Sequence, residues 1–376
     1  MEKVKLLHCA DFHFDTPFRE LAGVEAEKRK EDLRETFGRV VQMVKEEQVD
    51  VLLISGDFFD NDRVMKTSLD HIMKKFEEIS NVRVFISPGN HDPYTYKSYY
   101  HLVQWPKNVH IFDSNLKGIV IPELNLCVYG VGFSKSHEKQ SLIQGFQVED
   151  KNMLNIMVLH GEVVSEGQGS DYNPITEKMI SDSGLDYLAL GHKHGFSGIM
   201  RAGETFWAYS GNPEGRGFDE VGSKGILLGT LEKSRCDLVY REICKRKYMV
   251  VKVDIEGLDT YEEISEKIKE QIIDSERTQN LYKIILTGEV KEGFTIHPEV
   301  LREKLFSTFH NVKIVDETTL ALDYEGLANE FSLRGIFIRN MMERLSQTQD
   351  EETKKRIKNA LKLGIQALGT GEVNIE

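Results

Sequence analysis

The sequence predicts an α/β protein in which a β-sandwich flanked by helices, in four αββα layers, precedes a small α/β domain and a helical tail. Three observations support this: short apolar runs early in the chain, charged helical segments between them, and a helix-only pattern at the end. Five runs rich in Val, Ile and Leu and bounded by Gly or Pro predict buried strands. They span residues 4–7, 49–54, 82–86, 155–159 and 185–190.

Two charged segments between these runs have apolar residues at helical spacing. Residues 24–47 and 66–79 are therefore predicted to be helices that connect parallel strands. After residue 196 the chain turns to short strand patterns and glycines. Residues 197–240 are expected to complete the second sheet of the sandwich.

A new unit is predicted to begin near residue 245, where strand and helix patterns alternate again. Residues 326–376 have helical patterns alone, so the predicted domains are residues 1–244, 245–325 and 326–376. The alternating unit has predicted strands at residues 247–255, 282–290 and 312–315 and predicted helices at 261–273 and 298–309.

Composition excludes several classes of protein. The 376 residues include four cysteines without CxxC spacing, which predicts reduced thiols. With no long uncharged apolar run and no recognisable leader, a cytoplasmic protein is expected. The formal net charge of −13 at pH 7 opposes DNA binding, so DNA affinity of this chain should be weak and sensitive to salt.

Oxygen and imidazole side chains follow directly after each of the five predicted strands. Because the carboxyl ends of neighbouring parallel strands converge on one edge of an open α/β sheet, these side chains are expected to meet. The seven candidate metal ligands are Asp11, His13, Asp57, Asn90, His160, His192 and His194.

This donor set suits divalent Mn²⁺, Fe²⁺ or Zn²⁺, and it includes no thiolate. Seven ligands exceed the needs of a single site but suffice for two ions if one carboxylate bridges them. Two such ions, about 3.5–4 Å apart, hold a hydroxide at neutral pH and clamp the oxygens of a phosphoryl group. The sequence therefore predicts phosphoester hydrolysis at a dinuclear metal site.

The same residues form the ordered motifs D-x-H, G-D-x-x-D, G-N-H-D, a lone histidine and G-H-x-H. In this order they resemble the calcineurin-like metallophosphoesterases. The resemblance implies that His91 acts on the scissile phosphate and that Asp60 orients it. It also implies that one ion is held by Asp11, His13 and His194, the other by Asn90, His160 and His192, and that Asp57 bridges both.

Residues 7–18 and 209–220 make the chain most similar to the SbcD-like DNA-repair exonucleases, in particular the YhaO type. The similarity implies a DNA exonuclease or endonuclease that uses two divalent ions, with Mn²⁺ preferred. It implies that residues 245–325 form a cap limiting which DNA ends enter. It further implies that the tail docks on an SbcC-like or YhaN-like coiled-coil ATPase. A tail that packs on the core, or pairs in a homodimer, is the alternative.

Two other functions stay open. A phosphodiesterase or phosphatase for a small nucleotide or a phosphoprotein would use the same metal site, but it has no need of the cap and tail. A non-catalytic scaffold would keep the fold, but it has no use for His91, which is not a ligand.

Three further features have two interpretations each. His8 is either functional or a satisfied core histidine. Arg216 either grips phosphate or is a solvated turn residue. The basic residues 241–247 either contact DNA or form a solvated linker.

Overall fold

The computed structural model of the chain describes residues 3–21, 23–61, 63–291, 294–321 and 324–370. The chain divides into two compact units. The first comprises Met1–Val250, Ser275–Lys283 and Phe309–Asn311, and the second Val251–Asp274, Ile284–Thr308 and Val312–Glu376.

The first unit is built on two mixed six-stranded sheets, which confirms the expected α/β class. Its helices are α1 (Val24–Glu46), α2 (Lys66–Glu77), α3 (Tyr99–Leu102) and α4 (Glu177–Asp182). Its strands are β1 (Val4–Cys9), β2 (Val51–Ile54), β3 (Arg83–Ile86), β4 (Val109–Ile111), β5 (Lys117–Ile121), β6 (Leu126–Val131), β7 (Leu154–His160), β8 (Glu162–Val164), β9 (Pro174–Thr176), β10 (Tyr187–Gly191), β11 (Met200–Ala202), β12 (Thr205–Tyr209), β13 (Gly225–Glu232) and β14 (Arg235–Glu242).

The first sheet has the order β14-β13-β1-β2-β3-β4, and the second has the order β11-β12-β10-β7-β6-β5. Parallel pairs join β1 to β2, β2 to β3, and β7 to β10. The five predicted strands are confirmed as β1, β2, β3, β7 and β10, and the two predicted crossover helices as α1 and α2.

One topological prediction was wrong. Residues 197–240 were expected to complete the second sheet, but only β11 and β12 join it. β13 pairs antiparallel with β1, with Leu6 opposite Gly229, and β14 pairs with β13. Alternation of apolar residues predicts that a strand exists, whereas its partner is chosen by long-range packing that the local pattern does not contain.

Three clusters of buried side chains fill the spaces between the sheets and helices of the first unit. The first lies between the first sheet and helices α1 and α2, and it includes Phe37 and Phe76. The second draws residues from both sheets, such as Leu6 and Ile156, and so fills the space between them. The third packs Ile180 of α4 against the second sheet. Burial on both faces explains why the strands are nearly continuous apolar runs.

Beyond Cys244 strands and helices are interspersed up to β19, and the remaining described elements are helices. A three-stranded sheet has the order β15-β16-β18, and β17 pairs with β19. The elements are β15 (Tyr248–Asp254), α5 (Tyr261–Glu270), α6 (Asp274–Arg277), β16 (Leu281–Thr287), β17 (Glu289–Lys291), α7 (Pro298–Leu305), β18 (Asn311–Asp316), β19 (Thr319–Ala321), α8 (Tyr324–Ala328), α9 (Leu333–Gln347) and α10 (Glu351–Thr370).

Helices α9 and α10 form a hairpin around a small apolar cluster of Ile338, Leu361 and Ile365. The helical pattern predicted for residues 326–376 is thus present in the described part of the tail, and residues 371–376 lie outside the described residues. The division into domains 1–244, 245–325 and 326–376 stays a prediction. Among the described helices, none has the length and apolar character needed to cross a membrane.

Candidate metal centre

The seven predicted ligands sit at the carboxyl ends of strands from both sheets. Asp11 and His13 follow β1, Asp57 follows β2 and Asn90 follows β3; His160 ends β7, and His192 and His194 follow β10. Asp11, His13 and Asp57 have φ angles of 54°, 49° and 47°, in the left-handed region that side chains seldom adopt. Such strain concentrates at functional sites, where the surrounding structure holds a side chain in a required direction.

One group of donors consists of Asp11, His13 and His194, whose ligand atoms lie within 4.8 Å of one another. The Nε2 atoms of His13 and His194 are 3.3 Å apart. The main-chain N–H of His192 donates to both carboxylate oxygens of Asp11 at 3.1 Å, which fixes the orientation of that side chain.

A second group lies around His160. Its Nε2 is 3.0 Å from Oδ1 of Asn90, and its ring centroid is 5.3 Å from that of His192. Asp57 lies between the two groups, because its Oδ2 is 3.5 Å from Nε2 of His160 and 3.7 Å from Nε2 of His13. The structure thus brings all seven predicted ligands into one cluster, with Asp57 at its centre.

The electrostatics of this cluster fit a divalent cation. Burial raises the pKa of Asp11 to about 8, and it also raises the pKa of Asp57. Burial lowers the pKa of His160 and of His192 to about 4, which keeps both imidazoles neutral and able to coordinate metal. Burial still raises the pKa of both carboxyl groups, and a bound cation would favour their ionised, coordinating form.

His91 stands beside the cluster, with its side chain 44% exposed. Its main-chain N–H donates to Oδ1 of Asp57 at 2.9 Å, and its Nδ1 is 3.1 Å from the main-chain oxygen of Asp60. The Asp60 carboxylate is 4.0 Å from that nitrogen but 3.3 Å from Nδ1 of His13. The carbonyl of Asp60 is therefore closer to His91 than its carboxylate, and the predicted orienting role of that carboxylate stays a prediction.

Sequence reasoning gave no role to Glu220, which the structure places behind His194. The carboxylate accepts a hydrogen bond from Nδ1 of His194 at 2.7 Å and from Nε of Arg216 at 3.0 Å. Burial opposes ionisation, but these two partners hold the pKa of Glu220 well below its usual range. Its only sequence signal was membership of residues 209–220, which carried the family resemblance.

The structure shows the surroundings of His8, Arg216 and the basic residues 241–247, each of which had two interpretations. His8 is a buried core residue whose Nδ1 and Nε2 contact the hydroxyls of Tyr187 and Ser55, and burial lowers its pKa to about 3. Arg216 is paired, since it bonds Glu220 and lies 3.7 Å from Asp60, and its side chain is 23% exposed.

In the basic cluster, Lys245 and Arg246 pair with Asp32 at 3.0 and 2.9 Å. Lys247 pairs with Glu242 at 2.7 Å. These positive charges are paired within the first unit, so a fully solvated linker does not describe them, and the DNA contact stays a prediction.

The residues of this cluster lie in the part of the chain that matches a known protein family. Residues 4–196, just over half of the chain, match the calcineurin-like phosphoesterase family. The chain belongs to this family. The match contains all seven clustered ligands together with Asp60 and His91. As a calcineurin-like phosphoesterase, the chain is a metallophosphoesterase with His and Asp groups placed to hold metal.

Among curated relatives, the uncharacterized metallophosphoesterase YhaO of Bacillus subtilis is 30% identical over 250 residues. That match covers 59% of this chain and 56% of YhaO, less than two thirds of its length. The DNA double-strand break repair protein Mre11 of Saccharolobus solfataricus is 26% identical over 337 residues, covering 85% of this chain and 84% of that protein. Mre11 of Methanocaldococcus jannaschii is 26% identical, covering 83% and 82%.

Proposed function

We propose that this phosphoesterase is a DNA exonuclease or endonuclease that uses two divalent cations, with Mn²⁺ expected and Fe²⁺ or Zn²⁺ compatible with the same donors. The observation that carries the proposal is the cluster of seven candidate ligands around Asp57, with His91 at its side. Similarity to two proteins named for DNA double-strand break repair, over more than four fifths of the chain, supports DNA as the substrate.

In this proposal seven residues coordinate the two cations, and His91 reacts with the substrate. Asp11, His13 and His194 would hold one cation, Asn90, His160 and His192 the other, and Asp57 would contact both. When bound, the two cations would neutralise the phosphoryl oxygens and activate water.

His91 completes the chemistry in this proposal. Nδ1–H of His91 donates to the carbonyl of Asp60, so in this proposal His91 reacts as the imidazolium, which carries its second proton on Nε2. That proton passes to the leaving oxygen as the oxygen–phosphorus bond breaks. The Asp60 carboxylate, 4.0 Å from Nδ1 of His91, would stabilise the positive charge of that imidazolium; it also lies 3.3 Å from Nδ1 of His13, whose imidazole stays neutral as a ligand.

A direct assay tests this function. Purified protein with Mn²⁺ should degrade end-labelled DNA and hydrolyse bis-p-nitrophenyl phosphate, and a chelator should stop both reactions. Hydrolysis of the small diester without DNA degradation would favour the small-nucleotide or phosphoprotein alternative. Absence of both activities in metal-loaded protein would favour a scaffold.

Glu220 should act through His194. A carboxylate that accepts from the far nitrogen of a coordinating histidine fixes its tautomer and raises its basicity. We therefore expect Glu220→Gln to weaken Mn²⁺ binding about 10- to 100-fold at the site of Asp11, His13 and His194, measured by titration of chelator-treated protein. The matched change Glu138→Gln, which removes a carboxylate bonded to Ser134, should not. Equal affinities in both variants would contradict the role of Glu220.

We also propose that the first unit is the αββα sandwich, which its three apolar clusters support. In the same proposal, residues 245–325 cap the cleft. The tail docks on a coiled-coil ATPase of the SbcC-like or YhaN-like kind. The exposed apolar side chains of α9 support docking. Leu333 is 70% and Ile336 50% exposed, although the hairpin buries Ile338. Exposed apolar residues on one helix are a common basis of partner binding.

Truncation and charge substitution test the tail. Removing residues 331–376 should leave Mn²⁺-dependent turnover of a small diester nearly unchanged and abolish association with the co-expressed ATPase. Leu333→Glu with Ile336→Glu should abolish association in the full-length chain, whereas Ser346→Glu with Gln347→Glu adds the same charge and should retain it. A truncated chain that fails to fold, or a double variant that still binds, would contradict docking through α9.

A further inference from the structure

Two cavities meet at His91. One, of about 340 Å³, is lined by Phe59, Asn61, Tyr99 and Ser136 together with His91, and we call it the tyrosine pocket. The other, of about 390 Å³, is lined by Asp60, Arg216 and three acidic side chains together with His91. A phosphodiester has two substituents, so a phosphate at His91 would direct one of them toward each cavity.

The tyrosine pocket follows directly from the motif that contains His91. Residues 93–100 include four tyrosines and a lysine, a mixture typical of surfaces that stack bases. Tyr99 and Tyr100 line the pocket, whereas Tyr96 is 73% exposed on the same segment, with the ammonium of Lys97 5.4 Å from the centre of its ring.

Hydrogen bonds to the buried Asp92 carboxylate hold the inner wall of this pocket in place. The Tyr100 hydroxyl donates to Asp92 at 2.5 Å, and the main-chain N–H groups of Phe59 and Gly89 donate to the same carboxylate at 3.0 and 2.7 Å. The ring of Tyr100 lies 5.5 Å from that of Phe59. Since the carboxylate of Asp92 is already bonded, the pocket offers aromatic walls and the neutral polar groups of Asn61, Thr95 and Ser136.

We propose that the tyrosine pocket binds the nucleobase of a nucleotide that flanks the scissile phosphate. The inference rests on the proposed DNA cleavage and adds its substrate form. The partly exposed ring of Tyr99 suits the face of a base, with the buried Phe59 and Tyr100 behind it. The amide and hydroxyl groups suit the polar edge of a base, and the volume falls in the range of small-ligand sites. A base that enters a pocket must leave its stack and its pair, so unpaired ends are the preferred substrates.

Substrates that lack one base test whether the tyrosine pocket binds a nucleobase. Oligonucleotides are prepared with a tetrahydrofuran residue in place of either nucleotide that flanks the first cleaved bond. One of the two should be cleaved at least about tenfold more slowly than the normal strand, the loss expected for one stacked base. A mismatched end should likewise be cleaved faster than a paired end.

A substitution that fills the tyrosine pocket tests whether the base binds there. Ser136 is an exposed residue of the pocket lining, so Ser136→Trp places an indole there. The ratio of cleavage rates for normal and abasic strands should fall toward one in this variant, with each protein serving as its own reference. Lys135→Trp places the same side chain one residue earlier, at a position 69% exposed, and it should keep the wild-type ratio.

Binding provides a readout that needs neither metal nor turnover. Trp105 lies 6.0 Å from Tyr100 and 6.5 Å from Phe59, ring centre to ring centre, so its fluorescence should respond to a base in the pocket. In the presence of chelator, thymidine should change this signal in wild-type protein and in Lys135→Trp measured against its own baseline. Deoxyribose should not, and Ser136→Trp should not respond to thymidine.

The outcomes separate this inference from the proposed function. DNA cleavage with equal rates on normal and abasic strands would overturn the pocket and leave the nuclease. A rate ratio that survives Ser136→Trp would overturn this location for the base. Hydrolysis of bis-p-nitrophenyl phosphate without any DNA cleavage would overturn the nuclease and, with it, the inference.

Discussion

Asp57→Asn is expected to abolish phosphodiester hydrolysis and to lower metal occupancy at both sites. Asp57 is the carboxylate that lies between the two groups of donors, with its Oδ2 3.5 Å from His160 and 3.7 Å from His13. An amide has the same shape but supplies neither the negative charge nor a second anionic oxygen to bridge two cations. Elemental analysis of the purified variant and turnover of bis-p-nitrophenyl phosphate measure both effects.

Stability gives Asp57→Asn a second, independent readout. Burial raises the pKa of Asp57, so in chelator its ionised form is held at a cost that the neutral amide avoids. The melting temperature in chelator should therefore be equal to or higher than that of the wild type. Added Mn²⁺ should raise the melting temperature of the wild type far more than that of the variant, because a ligand stabilises only the state that binds it.

A second buried carboxylate controls for the substitution itself. Asp186 accepts a hydrogen bond from the main-chain N–H of Asn155 at 2.7 Å and pairs with Lys233 at 2.9 Å, away from the metal cluster. Asp186→Asn should keep full metal content and turnover. Two equivalents of bound metal with normal turnover in Asp57→Asn would remove Asp57 from the mechanism.

The strands and the meeting of the candidate ligands at one edge of the sheets were predictable from sequence for one physical reason. In parallel α/β sheets a buried strand is a local apolar run, and the residue after it is brought to a shared edge whatever its distance along the chain. His160 and Asp57 could thus be placed in one site although 103 residues separate them. The crossover helices α1 and α2 were predictable because one apolar stripe faces the sheet.

What the sequence did not contain is the choice among partners. β13 joins β1 in the first sheet, and Glu220 bonds His194, through packing that neither segment displays locally. The case of Asp60 concerns a single side chain. The family resemblance implies that it orients His91; its carbonyl oxygen is closer to the His91 ring than its carboxylate is, and the orienting role of the carboxylate stays a prediction. Side-chain direction depends on the surrounding structure as well as on the motif.

His91→Ala is expected to keep both cations and nearly normal DNA affinity while kcat falls about 10²- to 10⁴-fold, the usual contribution of a general acid. Metal content should survive because the contact that His91 makes with Asp57 comes from its main-chain N–H, which alanine retains. Removal of the imidazole therefore deletes the proton at Nε2 and leaves the ligand cluster in place. Single-turnover cleavage at saturating Mn²⁺, with metal analysis of the same sample, measures the two quantities separately.

His192→Ala provides the matched comparison, since it also removes an imidazole while the main-chain N–H of residue 192 can still donate to Asp11. This variant should lose metal from the group of Asn90 and His160, and excess Mn²⁺ should restore part of its activity by mass action. Excess Mn²⁺ should restore nothing in His91→Ala, because its missing group is a proton donor and its sites are already filled. If both variants lost metal equally, or if Mn²⁺ rescued both, His91 would be a ligand and the proton transfer assigned to it would be wrong.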